Sequence, residues 1–243
     1  MKRFVGIATL AGTVLFASSG AQAAPLSGEF TISSLGDVRV FATVTDFGQI
    51  GPLFGTPIGD VFFGSGTGGF TGIVGSGIIR DLQAALQPVG VPFTFEDFLQ
   101  SASRPDLEFT LTQILPGSGT VPPCFTDSTV LVCTPPGSPF SIANLTAGGS
   151  SVSLRVLGTV TTTGSMDAPS NFVGSFSTQF ANLTSSQLLN QIFGDDELGF
   201  VQSSFSADFV VTPGEQPPVP EPATLMMLGL GLLGLAAGRR NRK

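Results

Sequence analysis

Apolar and polar residues alternate along five segments of the chain, which is the period expected for β-strands with one buried face. In the first segment, every second residue from Val38 to Val44 is valine or alanine. Threonine, valine and phenylalanine are abundant in all five, and these residues favour strands. The segments are 37–47, 107–115, 152–163, 171–183 and 200–211. The pattern predicts a mainly β protein, namely a single antiparallel β-sandwich or jelly-roll-like domain.

Three shorter segments are candidate helices, and in segment 78–87 the apolar residues are near helical spacing. Segment 78–87 stops before a proline, and Thr94 is a candidate N-cap for segment 94–102. The third segment begins at Ser185 or Ser186 and carries leucine and isoleucine along one face. We therefore expect a few short helices that pack against the strands.

A glycine-rich stretch covers residues 48–77 and contains the pattern G-x-G-x-x-G at residues 64–69. A dinucleotide-binding loop of this pattern requires a helix that begins at the glycines and presents its amides to a pyrophosphate. Further glycines follow at Gly72, Gly75 and Gly77, and they oppose a helix. We interpret the stretch as a turn-rich loop and predict no cofactor.

Residues 1–23 have the features of a secretory signal peptide. A basic start precedes the apolar run 4–16, and Ala21 and Ala23 form a small-x-small cleavage site. The run is shorter than the roughly 20 apolar residues that a membrane-spanning helix needs. We therefore expect cleavage after Ala23 and export of the mature protein.

The two cysteines of the chain, Cys124 and Cys133, lie close together in sequence. In an exported protein such a pair is typical of one disulfide that closes a hairpin or loop. A metal site or a redox dithiol would need further ligands or C-x-x-C spacing. Because the chain has no histidine, we predict a structural disulfide.

The absence of histidine also removes many catalytic arrangements. Ser-His-Asp and Cys-His nucleophile pairs and the H-E-x-x-H zinc site all need an imidazole. Paired-carboxylate glycoside hydrolysis remains open, because it needs only two acids at a suitable separation. The densest acidic cluster, Asp195, Asp196 and Glu197, is a weak calcium candidate without the ligand spacing of an EF-hand. We predict no catalytic residues and no bound metal.

The charge of the chain is divided unevenly. Between residues 24 and 238 there are four arginines against all 17 acidic residues, which gives a net charge of −13. Such a domain repels phosphate backbones and lacks the basic stripe that nucleic-acid binding requires. Nucleic acid is therefore excluded as an expected partner.

The C-terminal region changes composition after the predicted secreted domain, 24–212. Residues 213–222 form a proline-rich spacer, and residues 223–243 are an apolar run followed by a basic end. Since positive residues stay on the cytoplasmic side, this order places the domain outside the inner membrane. As a helix, the apolar part 223–238 would span about 24 Å, against about 30 Å for the hydrocarbon core. It is a marginal transmembrane anchor.

The triplet Pro220, Glu221 and Pro222, the apolar run and the basic cluster together resemble the PEP-CTERM sorting signal of Gram-negative bacteria. The resemblance implies that the tail is held transiently in the inner membrane, recognised by an exosortase-type protease near the triplet and then removed. It also implies a final location at the cell surface or in the extracellular matrix, where exopolysaccharide is a possible partner.

We expect a non-enzymatic protein with a structural or adhesive role in an exopolysaccharide or biofilm layer. The alternative is a secreted carbohydrate-binding module or a two-carboxylate glycosidase. The chain has no tryptophan and no tyrosine, the amphipathic aromatic residues that suit a sugar platform. A permanently anchored envelope protein is a third interpretation, and it would keep its basic C-terminus.

Overall fold

The computed structural model describes residues 25–41, 44–47, 58–119, 124, 132–146, 148–165, 168–193 and 199–214. All of them fall within one compact unit, Ala24–Glu215. The predicted signal peptide and the C-terminal tail lie outside the described residues. The predicted domain boundaries therefore stay predictions.

Within these ranges the protein has fourteen strands and one α-helix. The first eight strands are β1 (Gly28–Ser34), β2 (Val38–Phe41), β3 (Val44–Asp46), β4 (Ile58–Gly66), β5 (Gly75–Arg80), β6 (Leu82–Gln83), β7 (Phe95–Ser101) and β8 (Leu107–Ile114). The remaining elements are β9 (Val132–Cys133), β10 (Phe140–Asn144), β11 (Ser150–Thr162), β12 (Ser170–Phe180), the helix α1 (Ser185–Phe193), β13 (Phe200–Ser203) and β14 (Ser206–Thr212).

Eight antiparallel strands form a closed barrel in the order β12, β14, β1, β4, β5, β7, β8 and β11. The ring closes because β11 also pairs with β12, from Ser150 to Val160. The other edge of β11 is shared, since its second half pairs with β8 and its first half pairs with β10. Strands β11 and β12 therefore extend past the ring, and β10 and β9 continue the sheet there.

The mainly β class predicted from the alternation is confirmed. The predicted sandwich or jelly roll is wrong for the main sheet, because one sheet closes on itself instead of two sheets packing face to face. Alternation defines which face of a strand is buried, and that face is buried equally well in a sandwich and in a barrel.

Phenylalanine rings fill the barrel interior. Phe30 stacks on Phe209 with 4.7 Å between ring centroids and an interplanar angle of 2°. Inward-facing glycines make room for such rings, as a Cβ at Gly174 would lie only 2.8 Å from the ring of Phe209. Alternating small and large residues is a usual way to fill a small barrel. The interior is thus a packed core.

A second, four-stranded sheet has the order β13, β2, β3 and β6. Together with α1 and the extended part of β10 to β12, it forms a second apolar core outside the ring. The described members of this core are Val40, Cys124, Cys133, Ile142, Val152, Phe180, Leu188, Leu189, Ile192 and Val201.

Helix α1 confirms the third predicted helix. Its N-terminus has a capping box, in which the Thr184 N–H donates to Gln187 Oε1 at 3.0 Å. The side chain of Asn144 in β10 also holds this end, because its Oδ1 accepts from the Ser185 N–H at 2.8 Å. The apolar face of α1 buries Leu188 and Leu189 in the second core.

The other two predicted helices are wrong: segment 78–87 contains the end of β5, the short strand β6 and a turn, and segment 94–102 contains β7. Ile79 pairs with neighbours on both sides in the barrel. In β7, Asp97 adopts a left-handed φ of 53°, and the pairing with β8 is irregular there. This bulge turns both Phe98 and Leu99 inward and so breaks the alternation of buried and exposed residues that indicates a strand.

Three further segments differ in detail from their predictions. Segment 37–47 is a pair of strands, β2 and β3, and segment 200–211 contributes β13 and β14 to different sheets. The prediction of a turn-rich loop is wrong for the described part of the glycine-rich stretch, 58–77, which forms the nine-residue strand β4, a short 3₁₀ turn at Gly68–Phe70 and the start of β5. No α-helix follows the glycines, so a dinucleotide loop is excluded there.

Candidate functional site

Several predicted site residues lie outside the described residues, so their predictions stay untested by the structure. They belong to the cleavage site, the acidic cluster and the sorting triplet: Ala21, Ala23, Asp195, Asp196, Glu197, Pro220, Glu221 and Pro222.

The predicted disulfide between Cys124 and Cys133 is present, with 5.3 Å between the two Cα atoms. Both residues are 5% exposed and belong to the second core. Cys133 lies opposite Ile142 in the pairing of β9 with β10. The bond therefore connects residue 124 to the sheet that walls this core.

A cavity of about 160 Å³ lies in the second core. One wall is the second sheet, represented by Val40 and Val201, and the opposite wall is the extended main sheet, represented by Val152. Residues of α1 line a further side, and the cavity is partly open to solvent. The apolar side chains lining these walls include Val40, Leu82, Val89, Ile114, Phe140, Ile142, Val152, Leu154, Phe180, Leu188, Leu189, Ile192 and Val201.

The polar groups lining this cavity make bonds within the protein. The Thr178 hydroxyl donates to the Ser204 carbonyl at 2.6 Å, and Gln87 Oε1 accepts from the Gln83 N–H at 2.8 Å. None of the described residues lining the cavity carries a charge. The site therefore presents an apolar environment to any molecule inside it.

A proline-rich turn forms one side of the cavity, from Pro135 to Pro139. The Ser138 N–H donates to the Pro135 carbonyl at 3.0 Å, and Gly137 has a φ of 74°, which suits glycine. The Ser138 carbonyl accepts from the Gly117 N–H at 3.2 Å. These bonds hold the turn in place beside the cavity.

An acidic groove of about 530 Å³ is lined by Asp60 of β4, Asp97 of β7 and Glu108 of β8, among others. The carboxylate of Glu108 accepts hydrogen bonds from the hydroxyls of Thr163 at 2.8 Å and Thr161 at 3.4 Å. In the described ranges, no group of three acids or cysteines is placed to hold a metal ion. The groove brings together acids that are far apart in sequence.

Asp81 is the single residue between β5 of the barrel and β6 of the second sheet. Its Oδ1 accepts a hydrogen bond from the Phe47 N–H at 2.8 Å. Burial raises the pKa of Asp81 to about 6; the hydrogen bond from Phe47 opposes the rise, and the negative charge of Asp46 adds to it. This carboxyl is therefore a titratable group at the junction of the two sheets.

Three of the four arginines between the terminal segments make contacts within the protein. Arg104 forms a bidentate ion pair with Asp106, with both N–O distances 2.8 Å, and this pairing lowers the pKa of Asp106. The guanidinium of Arg80 lies 4.2 Å from the ring centroid of Phe95, and that of Arg39 is near Phe200. The arginines are spread over separate contacts and form no basic patch in the described part of the chain.

A family model described as the PEP-CTERM protein-sorting motif matches residues 218–243. This chain carries a PEP-CTERM sorting motif. The match includes the predicted triplet Pro220, Glu221 and Pro222, and the apolar and basic segments after it. No curated protein and no solved structure matches the chain. The PEP-CTERM motif marks an exported, cell-surface-directed protein and implies processing by an exosortase.

Among the described residues, none belongs to a helix long and apolar enough to cross a bilayer. The apolar run of the PEP-CTERM tail, 223–238, lies outside those residues. The predicted transmembrane helix there stays a prediction.

Sequence reasoning missed the apolar cavity, the acidic groove and Asp81. The residues around the cavity run from Val40 to Val201, and no local pattern connects them. Asp81 does have a local signal in the sequence Ile79-Arg80-Asp81-Leu82. It is the only acid in this short stretch, and apolar residues flank the pair that it forms with Arg80.

Proposed function

We propose that this protein is a non-enzymatic structural component of an exopolysaccharide-rich surface or matrix layer. An exosortase removes its tail during export. The observation that carries the proposal is the PEP-CTERM match at residues 218–243, which defines the route. We infer the role in the matrix from that route together with the character of the folded domain.

The packed interior of the barrel supports a structural role, because aromatic side chains fill it. Phe30, Phe109 and Phe209 are at most 1% exposed, and the ring of Phe30 contacts the rings of the other two inside the ring of strands. Large aromatic clusters add to stability beyond the area that they bury. A closed barrel also removes the free edges of its eight strands, which limits uncontrolled pairing with other chains.

The surface charge supports residence in a hydrated layer. The stretch from 24 to 238 has 17 acids and four arginines, a net charge of −13. Net charge far from zero keeps exported domains apart and hydrated. The bidentate pairing of Arg104 with Asp106 further reduces the positive charge available to partners.

The order of segments in the tail supports transient membrane retention. A proline-rich spacer precedes the apolar run 223–238, and four basic residues follow it within 239–243. The basic residues keep the C-terminus in the cytoplasm, and the short run makes a weak permanent anchor. Cleavage near Glu221 would release the domain on the outer side.

Intact-mass measurement of the protein from its producing cells tests the route. We expect a mass that lacks residues 1–23 and the basic C-terminus, and retention of the tail in cells without the exosortase. Glu221→Gln combined with Pro222→Ala should give the same retention, whereas Pro213→Ala, outside the matched range, should be processed normally. Recovery of wild-type protein with its final arginines attached would reject the proposal.

Matrix association is tested separately on the processed protein. We expect it to fractionate with the extracellular polysaccharide layer, and we expect no reducing sugar to be released from that polysaccharide. The carbohydrate-active alternative predicts turnover that Glu108→Gln or Asp97→Asn abolishes, because these acids line the acidic groove. Such turnover would replace the structural role with an enzymatic one.

A further inference from the structure

We propose that the apolar cavity of the second core is a binding site for a small uncharged hydrocarbon group, such as an aromatic ring or a short alkyl chain. This inference is independent of the sorting route and of the matrix role. It rests on the volume, lining and position of the cavity.

The volume of the cavity matches such a molecule. Its size is about 160 Å³, which is close to that of an engineered apolar cavity of about 150 Å³ that binds benzene, and it differs from that cavity in being partly open to solvent. An empty apolar cavity destabilises a core because its lining loses dispersion contacts on one side. A molecule that fills the space restores these contacts and so binds favourably.

The lining selects against charge. Val152 and Val201 face the cavity from two different sheets, and Leu189 faces it from the helix. No described residue lining the cavity is charged, so an ionised ligand would lose its hydration without gaining a partner. A neutral molecule of the same size loses much less hydration free energy on burial. The site therefore favours uncharged ligands over their charged counterparts of equal size.

The cavity also has an entry side. Ala84, Pro136 and Gly137 line it and are exposed at the surface. The backbone of the proline turn is held by the bond between Ser138 and Pro135, so the entry is part of the folded structure. Ligand exchange then does not require the second core to unfold.

Thermal unfolding of the purified, naturally processed protein tests the proposal with benzene and 1-hexanol as probes. Both should raise the melting temperature in a saturable manner, and hexanoate at neutral pH should leave it unchanged. Val152→Phe fills the cavity and should abolish the rise with benzene. Val210→Phe makes the same change at an exposed position of β14 outside the cavity, and it should keep the full rise.

Methyl NMR gives a readout that needs no variant. Benzene should shift the methyl signals of Leu188, Leu189 and Ile192, and leave those of Val61 and Ile79 in the barrel core unchanged.

If Val152→Phe does not fold, a second variant replaces it in the thermal unfolding experiment. Leu189→Ala enlarges the cavity, and benzene should raise its melting temperature more than that of the wild type. The absence of a saturable shift, or equal shifts in both cores, would overturn the proposal.

Discussion

The backbone N–H of Phe47 donates a hydrogen bond to Asp81 Oδ1 over 2.8 Å and so ties the end of β3 to the residue between β5 and β6. The ring of Phe47 enters the barrel core, with its centroid 5.2 Å from that of Phe205. One backbone bond thus holds a core aromatic residue and a titratable carboxyl at the junction of the two sheets.

Because of Asp81, the free energy of unfolding should be higher at mildly acidic pH than at neutral pH. Its pKa is raised from 3.8 to about 6 in the folded state, so ionisation opposes folding. The penalty is fully present above pH 6 and disappears as the pH falls towards 4. Asp81→Asn keeps the acceptor oxygen and removes the charge. At pH 7.5 it should raise the free energy of unfolding by about 1 kcal/mol, after allowance for solvent screening of a partly exposed group.

Urea denaturation of wild type and Asp81→Asn at pH 7.5 and pH 4 measures this effect. The difference between the two proteins should disappear at the lower pH. Asp208→Asn, an exposed acid on β14, serves as the control and should show no such pH-dependent gain. A pH-independent difference for Asp81→Asn would mean that its charge is not the cause.

The bulge at Asp97 leads to a prediction about backbone strain. This residue has a φ of 53°, which glycine adopts freely and β-branched residues avoid. Asp97→Gly should therefore be tolerated, whereas Asp97→Val should lower the free energy of unfolding by about 1–3 kcal/mol. Chemical denaturation of the two variants measures the difference.

The neighbouring residue Glu96 is exposed and provides the control. The β-branched variant Glu96→Val should change the free energy of unfolding only slightly, because residue 96 does not have a left-handed backbone conformation. Equal destabilisation by Glu96→Val and Asp97→Val would contradict the role of backbone strain.

The elements that sequence predicted well are those with local signals. Helix α1 combines apolar spacing with a capping box between Thr184 and Gln187, and both signals lie within ten residues. Strands β8, β11 and β12 alternate regularly along their length. The sorting triplet, Pro220 to Pro222, is also a local string, and the family match includes it.

The parts that sequence missed depend on long-range pairing. Closure of the barrel requires β11 to pair with β12 on one edge and with β8 on the other, and alternation does not specify either partner. In β7, the bulge at Asp97 interrupts alternation and led to a wrong helix. The apolar cavity has no sequence signal at all, because its walls come from β2, β11, β13 and α1.

Packing around Gly174 should make the barrel intolerant of even one added methyl group. A Cβ there would lie 2.8 Å from the Phe209 ring and 2.9 Å from a Val156 methyl. Gly174→Ala should therefore lower the free energy of unfolding by about 1–3 kcal/mol, the usual cost of overpacking a core. Urea denaturation measures this cost.

A second substitution separates overpacking from a general effect on the strand. Phe209→Leu makes room beside Gly174, so the double variant should be more stable than the sum of the two single effects predicts. Ser175→Ala, on the opposite face of β12, should be nearly neutral. Additive effects in the double variant would show that Phe209 does not limit the space at Gly174.

The disulfide should contribute to stability because it lowers the conformational entropy of the unfolded chain, even though the loop that it closes is short. Cys124 and Cys133 are nine residues apart, for which loop-closure entropy gives about 2.7 kcal/mol. The double variant Cys124→Ala and Cys133→Ala should lower the free energy of unfolding by about 2–3 kcal/mol. Reduction of the wild-type protein with dithiothreitol should shift the melting temperature in the same direction, and dithiothreitol should have no effect on the alanine variant. An unchanged melting temperature after complete reduction would show that the second core holds this segment without the covalent bond.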